Sequence, residues 1–383
     1  MKQDKNITNL ISISPNEFCL PLSRSLTEEE KAQVIQLPMS HRTTQEEVRI
    51  CKEIKRNWHD AEMKIVNILL EGDAGSGKTE LAKALSSNLG LPYCKITCFA
   101  DMDKSDVIGS ILPIIDDKEL DELSETDAEI LQTLYNSGEA QAPTSVIKEK
   151  LGRKTVDNVV TETWKRLKKL TNDHKTDAVS YRFYPSEIVR AFRNGYLLEI
   201  QEPTVIRDAA VLMALNSALE LDGSINLPTE VIHRHPDFVA VITTNRNYTG
   251  CRPLNEALRD RIQHTEKMDL PTKEVMIQRA MAKTGYTNQK VLGILADTII
   301  LLDKTAKANG IKGVAGMRSF FYWTDAIASS ASIKESLYHK VIYKITTDSE
   351  EIKMLEDALK SQGIVAELEE IEIEVKKNRI LMQ

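Results

Sequence analysis

The chain has 383 residues, a formal net charge of −7 and five scattered cysteines. This length predicts two or three compact units, and the acidic balance argues against a surface built as a whole to neutralise nucleic-acid phosphates. The cysteines show none of the CxxC spacing that zinc sites and disulfide scaffolds use, which favours a reducing, cytoplasmic compartment.

Residues 1–44 are predicted to be an N-terminal extension. Their start lacks the basic and apolar pattern of a signal peptide, and no apolar run in the chain reaches the length that crosses a bilayer, so we expect no membrane segment. Residues 44–58 place apolar side chains at helical spacing behind a threonine that can cap the helix. The next run, IVNILLE at 65–71, is apolar and ends at a glycine, as a buried parallel strand does.

Strands and helices then alternate. PYCKITCF, NGYLLEIQE and DFVAVITTN have the composition of strands, while ELAKALSSNLG and TVIRDAAVLMALNSALE have helical period. This order predicts an α/β core over residues 45–270, with a parallel sheet covered on both faces.

An insertion at about 117–179 interrupts this alternation. It begins with an acidic stretch and continues with three short helical patterns. Its later part, KEKLGRKTVDNVVTETWKRLKKL, carries a surplus of lysine and arginine. The order weakly resembles a winged-helix or helix-turn-helix module. We expect a solvated helical insertion or a protein-docking arm, and contact with nucleic acid stays open as the less favoured alternative.

The pattern after Pro271 is almost wholly helical, which predicts a helical second domain over 271–336. Residues 337–383 contain KVIYKITT and the alternating ELEEIEIEV on either side of a helical segment. This arrangement predicts a small α/β tail, although the last segment is also compatible with a helix.

A glycine-rich loop directly follows the first strand and matches GxxxxGK[ST]. Glycines let backbone N–H groups converge on a phosphate chain, and the helix that follows adds its positive N-terminal end. Lys78 is placed to reach the β- and γ-phosphates, and the Thr79 hydroxyl to ligate Mg²⁺. We call these residues the phosphate loop: Gly72, Asp73, Ala74, Gly75, Ser76, Gly77, Lys78, Thr79 and Glu80.

The segments further along resemble AAA+ ATPases of the MoxR-like and dynein-related (AAA_5-type) branch. TTNRNYTGCRPLNEALRDRI is similar to the sensor-1 segment of that branch, and DVIGSILP and GMRSFF fall where it has a post-strand motif and sensor 2. The likeness covers about 45–335 without the insertion. It implies a P-loop NTPase sheet with a helical lid, ATP and Mg²⁺ as cofactors, and ATP hydrolysis.

Four residues take roles from this resemblance. Asn245 would be sensor 1, which orients the attacking water. Arg259 and Arg261 are the two candidates for an arginine finger that reaches a neighbouring subunit, and Arg261 matches the family position better. Arg318, at the start of a helix in the second domain, would be sensor 2.

The Walker B segment departs from the family. Where an Asp-Glu pair is usual, this chain has Gln201 and Glu202. Glu202 keeps the role of polarising water, whereas Gln201 lacks the charge that helps to hold Mg²⁺, which predicts slower hydrolysis. Glu199 lies on the same face of the strand as Gln201 and is a candidate to restore that charge. A second register, with Glu199 itself as the metal carboxylate, stays open but leaves Glu202 unexplained.

The residues between Walker B and sensor 1 resemble the β-hairpin that this branch carries. As a whole, the resemblance implies a ring, expected to be homo-hexameric, that remodels a protein partner, and a partner with a von Willebrand factor A domain is to be considered. Two alternatives stay open. One is a nucleotide-gated scaffold with little hydrolysis, and the other is a nucleic-acid-linked motor that uses ATP or GTP.

Overall fold

A five-stranded parallel sheet forms the centre of the molecule, with strand order β2-β5-β8-β1-β9. The computed structural model describes residues 13–14, 16–60, 62–113, 124–137, 141–152, 154–173, 181–245 and 253–382. The central strands are β1 (Asn67–Gly72), β2 (Tyr93–Thr97), β5 (Leu197–Gln201), β8 (Val239–Asn245) and β9 (His264–Met268). Two antiparallel pairs lie outside this sheet, β3 (Gly109–Pro113) with β4 (Tyr181–Pro185) and β6 (Ser224–Asn226) with β7 (Val231–His233).

Helices surround the sheet and form the rest of the described chain. They are α1 (Glu28–Gln33), α2 (Gln45–Arg56), α3 (Lys78–Leu89), α4 (Lys104–Ile108), α5 (Glu125–Ser137), α6 (Pro143–Lys150), α7 (Asp157–Asp173), α8 (Glu187–Asn194), α9 (Ala209–Leu219), α10 (Glu256–Asp260), α11 (Lys273–Thr284), α12 (Gln289–Ala308), α13 (Met317–Ala328), α14 (Ile333–Leu337), α15 (Tyr343–Ile345), α16 (Ser349–Ser361) and α17 (Ile364–Met382). A 3₁₀ turn spans Pro203–Val205 and a π-helical turn spans Tyr338–Ile342. Within the described residues, no helix is both long and apolar enough to cross a membrane.

The sheet is buried on both faces, which explains the continuous apolar runs of its strands. Ile68 and Leu70 of β1 pack against α2 and α3 on one face, and Leu69 belongs to the core that α8 and α9 cover on the other. The predicted fold class, a parallel sheet with flanking helices and a helical C-terminal region, is confirmed. The predicted hairpin before β8 is also present, as β6 and β7.

The insertion has its own small apolar core. Helices α5, α6 and α7 correspond to the three predicted helical patterns, and they bury Trp164 and Leu167 against Leu112 of β3 and Tyr184 of β4. The strand pair that carries the insertion escaped the sequence interpretation because its strands are short and far apart in the chain, with no turn signal between them. The acidic start of the insertion, at 116–123, and residues 174–180 lie outside the described residues.

The prediction of an α/β tail is wrong, because residues 337–382 are helical. The alternating ELEEIEIEV also carries apolar residues at helical spacing, and the structure uses that second pattern. Leu368, Ile371 and Val375 pack in the same apolar core as α12, whereas Ile373 is 56% exposed. The tail therefore completes the core of the helical second domain, and this tertiary contact decides between two patterns that the segment satisfies equally.

This packing predicts different effects for two neighbouring isoleucines. Ile371→Ala should destabilise the chain by about 2–5 kcal/mol, because the Ile371 side chain is fully buried. Ile373→Ala should change stability by no more than about 0.5 kcal/mol. Denaturant unfolding of the two variants measures the difference. Similar losses in both variants would indicate a strand, in which both side chains share one face.

Candidate functional site

The phosphate loop leaves the carboxyl end of β1, between β8 and β9, and leads into α3. Strand order reverses at this point, which is where open parallel sheets bind ligands. Gly75 and Gly77 have φ values of +80° and +99°, which side chains with a Cβ rarely adopt. A Cβ on Gly72 would lie 2.0 Å from the Met268 carbonyl oxygen. Glycine is therefore required at three positions of this turn.

Lys78 and Asn245 are in direct contact, although they come from distant parts of the chain. The Lys78 ammonium donates hydrogen bonds to the Asn245 Oδ1 at 2.8 Å and to the carbonyl oxygens of Gly72 and Asp73, each at 2.9 Å. Asn245 ends β8, the strand next to β1. Residues 246–252, which follow Asn245 in the predicted sensor-1 segment, lie outside the described residues.

A buried carboxylate lies beside the Thr79 hydroxyl. Glu199 is fully buried, and its Oε1 accepts hydrogen bonds from Thr79 Oγ1 at 3.0 Å and from Gln201 Nε2 at 2.9 Å. Gln201 Nε2 also donates to Thr79 Oγ1 at 2.9 Å. The opposite orientation of the Gln201 amide would set two oxygens against each other, so Glu199 determines it. We call Thr79, Glu199 and Gln201 the hydroxyl–carboxylate cluster.

Strand β2 supports this cluster from the edge of the sheet. The Tyr93 hydroxyl donates to Glu199 Oε2, and Thr97 Oγ1 donates to Gln201 Oε1 at 3.0 Å. Burial and the Glu199 charge raise the pKa of Tyr93 above its usual value, so the phenol stays a donor. Sequence reasoning missed both residues, because only the strand order places β2 beside β5.

Glu202 lies at the end of β5 in an uncommon backbone conformation. Its φ and ψ are 55° and 48°, the left-handed region, which costs a residue with a Cβ about 1–3 kcal/mol. Its carboxylate accepts a hydrogen bond from the Asn245 N–H at 3.0 Å. Burial raises the pKa of Glu202, and the Asn245 N–H and the Lys78 charge offset part of this effect. Lys78, Glu202 and Asn245 thus form one continuous group.

The helical second domain contacts the phosphate loop directly. Lys307 of α12 bridges Asp73 Oδ2 at 2.6 Å and Asp303 Oδ2 at 2.7 Å. At the start of α13, the Arg318 Cβ lies 3.7 Å from the position of a Cβ on Gly75. The structure therefore places the predicted sensor-2 residue against the loop. The Lys307–Asp73 pair has no sequence signature.

The remaining loop residues differ in their exposure. Ser76 is buried, and within the described residues its hydroxyl has no hydrogen-bond partner, which suits a site that receives an additional acceptor. Ala74 lies under the start of α13, where its carbonyl oxygen is 3.2 Å from the position of a Cβ on Gly316. Glu80 instead pairs with Lys83 at 3.1 Å on an exposed part of α3, away from the loop interior.

The two arginine-finger candidates differ in their distance from the phosphate loop of their own chain, because Arg261 lies far from it and Arg259 contacts the residue that precedes it. Arg261 bridges Glu220 Oε1 at 2.5 Å, and its carbonyl oxygen accepts a hydrogen bond from Asn67 Nδ2 at 2.8 Å. Asn67 is the first residue of β1, and the loop begins at the last residue of that strand. Arg261 therefore lies near the amino end of the strand, about 16 Å from the loop. Arg259 is half-exposed, and its Nη2 lies 3.5 Å from Glu71 Oε1.

Residues 67–137 match the family model described as AAA domain (dynein-related subfamily). Over this stretch, which carries the phosphate loop, the chain is similar to AAA domains of the dynein-related subfamily. The match supports nucleotide binding and ATP-driven activity.

Two curated relatives are similar to this chain at low identity. An uncharacterised protein of Staphylococcus saprophyticus is 24% identical over 76% of this chain and 88% of its own length. An uncharacterised protein of Staphylococcus aureus is 25% identical over 53% of this chain, and the match spans 56% of that relative. Among solved structures, the Thermotoga maritima RuvB Holliday junction branch migration motor has 11% identity and a TM-score of 0.36, covering 82% of this chain and 70% of that one. That likeness is too coarse to define an activity.

The raised pKa of Glu202 predicts a pH-dependent effect of Glu202→Gln on the stability of the chain. When the pKa of a carboxyl group is higher in the folded chain than in the unfolded one, the folded chain loses stability as the pH rises from about 4.5 through the folded pKa. The glutamine keeps the acceptor for the Asn245 N–H but cannot ionise. We therefore expect the variant to melt at a higher temperature than wild type at pH 7–8, with the difference vanishing towards pH 4. A constant difference across this range would contradict the prediction.

Proposed function

We propose that this AAA+ protein hydrolyses ATP in a ring of subunits, with Mg²⁺ held at the hydroxyl–carboxylate cluster, and that its helical lid passes the nucleotide state on to a protein partner. The observation that carries the proposal is the contact between the Thr79 hydroxyl and the buried Glu199 carboxylate. Glu199, two residues before Gln201 in β5, supplies the negative charge that Gln201 lacks.

The donor set fits Mg²⁺, which prefers oxygen ligands and commonly keeps part of its water shell. The Thr79 hydroxyl oxygen is a direct ligand candidate, and the Glu199 carboxylate would hold the water shell. Gln201 would support both groups through its amide N–H, because its carbonyl oxygen accepts from Thr97. When bound, the ion supplies positive charge to the β- and γ-phosphate oxygens. Because Glu199 is fully buried and strongly hydrogen-bonded, its charge can act at short range.

The protein groups that would act on water lie on the other side of Lys78. Glu202 polarises the attacking water as a general base, and its raised pKa brings it closer to neutral pH than an exposed glutamate. Asn245 orients this water through its side-chain amide, while its N–H holds the Glu202 carboxylate. Lys78 binds Asn245 directly, so a phosphate that draws Lys78 away would also reposition Asn245.

The position of Arg261 supports a ring. This residue lies at the amino end of β1, away from the phosphate loop of its own chain, and it would act on the nucleotide of a neighbouring subunit. A heterologous contact of this kind closes into a ring when its rotation allows. Through the contacts of Lys307 and Arg318 with the phosphate loop, the position of the helical lid then depends on the nucleotide bound to the same subunit. We propose a six-membered ring and, as one class of partner, a protein with a von Willebrand factor A domain.

The alternatives have less support. Glu199 compensates for Gln201, which weakens the case for a scaffold with little hydrolysis. In the described part of the insertion, several basic side chains form ion pairs with acidic neighbours, including Lys148 with Asp157 and Arg166 with Asp127. No observation therefore favours a nucleic-acid motor.

A charge-swap series tests the role of Glu199. Glu199→Gln should reduce Mg²⁺-dependent ATP turnover by roughly 10- to 100-fold, as the loss of a supporting metal group does. The double variant Glu199→Gln with Gln201→Asp restores one carboxylate to the cluster and should regain most of the turnover. Turnover is measured over a range of Mg²⁺ concentrations, because the defect should lie in metal affinity.

Two outcomes of this series would oppose the proposal. Unchanged turnover in Glu199→Gln would show that the carboxylate has no role at the metal. No turnover in wild type, together with equal nucleotide binding by Lys78→Ala, would remove the ATPase proposal altogether.

A complementation experiment tests the ring. Arg261→Ala should bind nucleotide normally but lose roughly 10³- to 10⁵-fold in turnover, and Lys78→Ala should be inactive. In an equal mixture of the two variants, roughly a quarter of the interfaces join an intact phosphate loop to an intact Arg261. The mixture should therefore regain activity that neither variant has alone. Arg259→Ala serves as the matched control, and recovery with Arg259→Ala in place of Arg261→Ala would assign the finger to Arg259. A mixture that stays inactive would contradict action between subunits.

A further inference from the structure

A cavity of about 310 Å³ lies between the open edge of β2 and the insertion. Its walls come from β2, from α6 and α7 of the insertion, and from α8. The volume is at the lower end of the range for small-molecule sites. The cavity is separate from the phosphate loop, and no residue of that loop lines it.

Arg190 lines this cavity with an unmet hydrogen-bond donor. The residue is only 8% exposed, and within the described residues its Nε has no hydrogen-bond partner. Its Nη2 donates to Cys94 Sγ at 3.2 Å and to Gln33 Oε1 at 3.3 Å. Burial raises the pKa of the Cys94 thiol, so neither partner carries a negative charge. Both hydrogen-bond partners of the guanidinium are neutral, and the carboxylate whose charge acts on it is that of Glu187, three residues earlier on the same helix. The open N–H is costly to bury unless an acceptor completes it.

The acidic groups around the cavity already have donors of their own. Glu187 accepts hydrogen bonds from the hydroxyls of Thr144 and Ser145, both at the start of α6. Asp157 accepts from the ammonium groups of Lys95 at 2.8 Å and Lys148 at 2.6 Å.

Asp106, the remaining carboxylate in the wall, accepts the N–H of Asp103 at 2.9 Å as part of a helix cap. Each carboxylate of the wall thus has a donor, whereas the buried guanidinium of Arg190 has an N–H without an acceptor. A ligand that completes Arg190 would therefore be an anion.

The other walls of the cavity are aromatic and apolar. Trp164, Phe99 and Tyr184 contribute to the lining, and Lys165 lies over the Phe99 ring at 4.5 Å. Such surfaces suit a flat, largely apolar body next to a single charged group. Hydroxyl groups of Thr161 and Ser186 add a few polar contacts.

We infer that this cavity binds a small organic anion, an aromatic carboxylate or phosphate monoester, whose charged group pairs with Arg190. The charged group of this anion would accept a hydrogen bond from the Arg190 Nε–H, and its ring would pack on the aromatic wall. Binding itself requires nothing of the nucleotide site.

Strand β2 connects the cavity to the hydroxyl–carboxylate cluster. Tyr93 and Thr97 line the cavity and donate to Glu199 and Gln201, and Thr97 also lies 3.4 Å from Asp157 Oδ2. A guest that shifts these side chains changes the cluster. This second step rests on the proposed function, and it makes the anion a regulator of Mg-nucleotide binding, with equal effects in both directions.

Binding is tested on the full chain without nucleotide, by saturation-transfer NMR and by the change in tryptophan fluorescence. The probes are benzoate, phenyl phosphate and the neutral benzamide. We expect an anion to bind with a Kd of about 1 mM, as its size allows, and benzamide to bind at least roughly 10-fold more weakly. A preference between benzoate and phenyl phosphate identifies the charged group.

Three variants identify the site. Arg190→Met should bind at least roughly 10-fold more weakly and still fold, because it removes a charge that is costly to bury. Thr161→Phe fills the cavity and should also abolish binding while Arg190 remains. Arg193→Met, on the same helix but paired with Glu230 outside the cavity, should bind as wild type does. Equal affinity for benzoate, phenyl phosphate and benzamide, or full binding by both Arg190→Met and Thr161→Phe, would overturn the inference.

The coupling is measured as the change in Mg-ATP affinity at saturating anion. A change in wild type that disappears in Thr161→Phe supports the regulatory step, and an unchanged affinity overturns that step. If the chain binds the anion but no nucleotide at all, the proposed function fails and the anion site stands.

Discussion

The buried carboxylate of Glu199 is the point at which several elements of the α/β core meet. It receives donors from α3 through Thr79, from β2 through Tyr93 and from its own strand through Gln201. A carboxylate without water is stable only when such donors surround it, so any shift in the packing of α3 or the register of β2 would leave a charge unmet. The geometry of the nucleotide site and the order of the sheet therefore depend on each other.

The same group bears on the glutamine at position 201. An aspartate there would bring a second carboxylate next to that of Glu199, and neighbouring carboxylates repel each other. The amide of Gln201 instead donates to Glu199 and fixes the orientation of the Thr79 hydroxyl. On this strand the carboxylate beside the Thr79 hydroxyl is that of Glu199, two residues before Gln201, and the neutral Gln201 amide is part of its support.

Contacts on the two sides of the phosphate loop differ in kind. On the side of the helical second domain, an ion pair joins Lys307, whose side chain is 48% exposed, to Asp73, whose side chain is 16% exposed. On the sheet side, Gly72 lies so close to Met268 that even one added methyl group would not fit. The sheet side of the loop is therefore fixed by backbone packing, whereas the other side is held by side-chain contacts.

Much of this site is evident from local sequence. GDAGSGKT predicts the phosphate loop because each residue type meets a local demand of backbone geometry or phosphate chemistry, and the continuous apolar runs predict a parallel sheet. Glu202 and Asn245 could be placed at strand ends from their own segments.

Three features were decided only by the tertiary structure. The support from Tyr93 and Thr97 depends on which strand lies next to β5, and the position of Arg190 at a cavity depends on how the insertion packs on an open sheet edge. The helical C-terminus depends on the buried face of α12, because its sequence satisfies both a strand and a helix. The sequence determined what each segment can do by itself; contacts between segments distant in the chain decided the rest, because strand order and packing are not encoded in local periodicity.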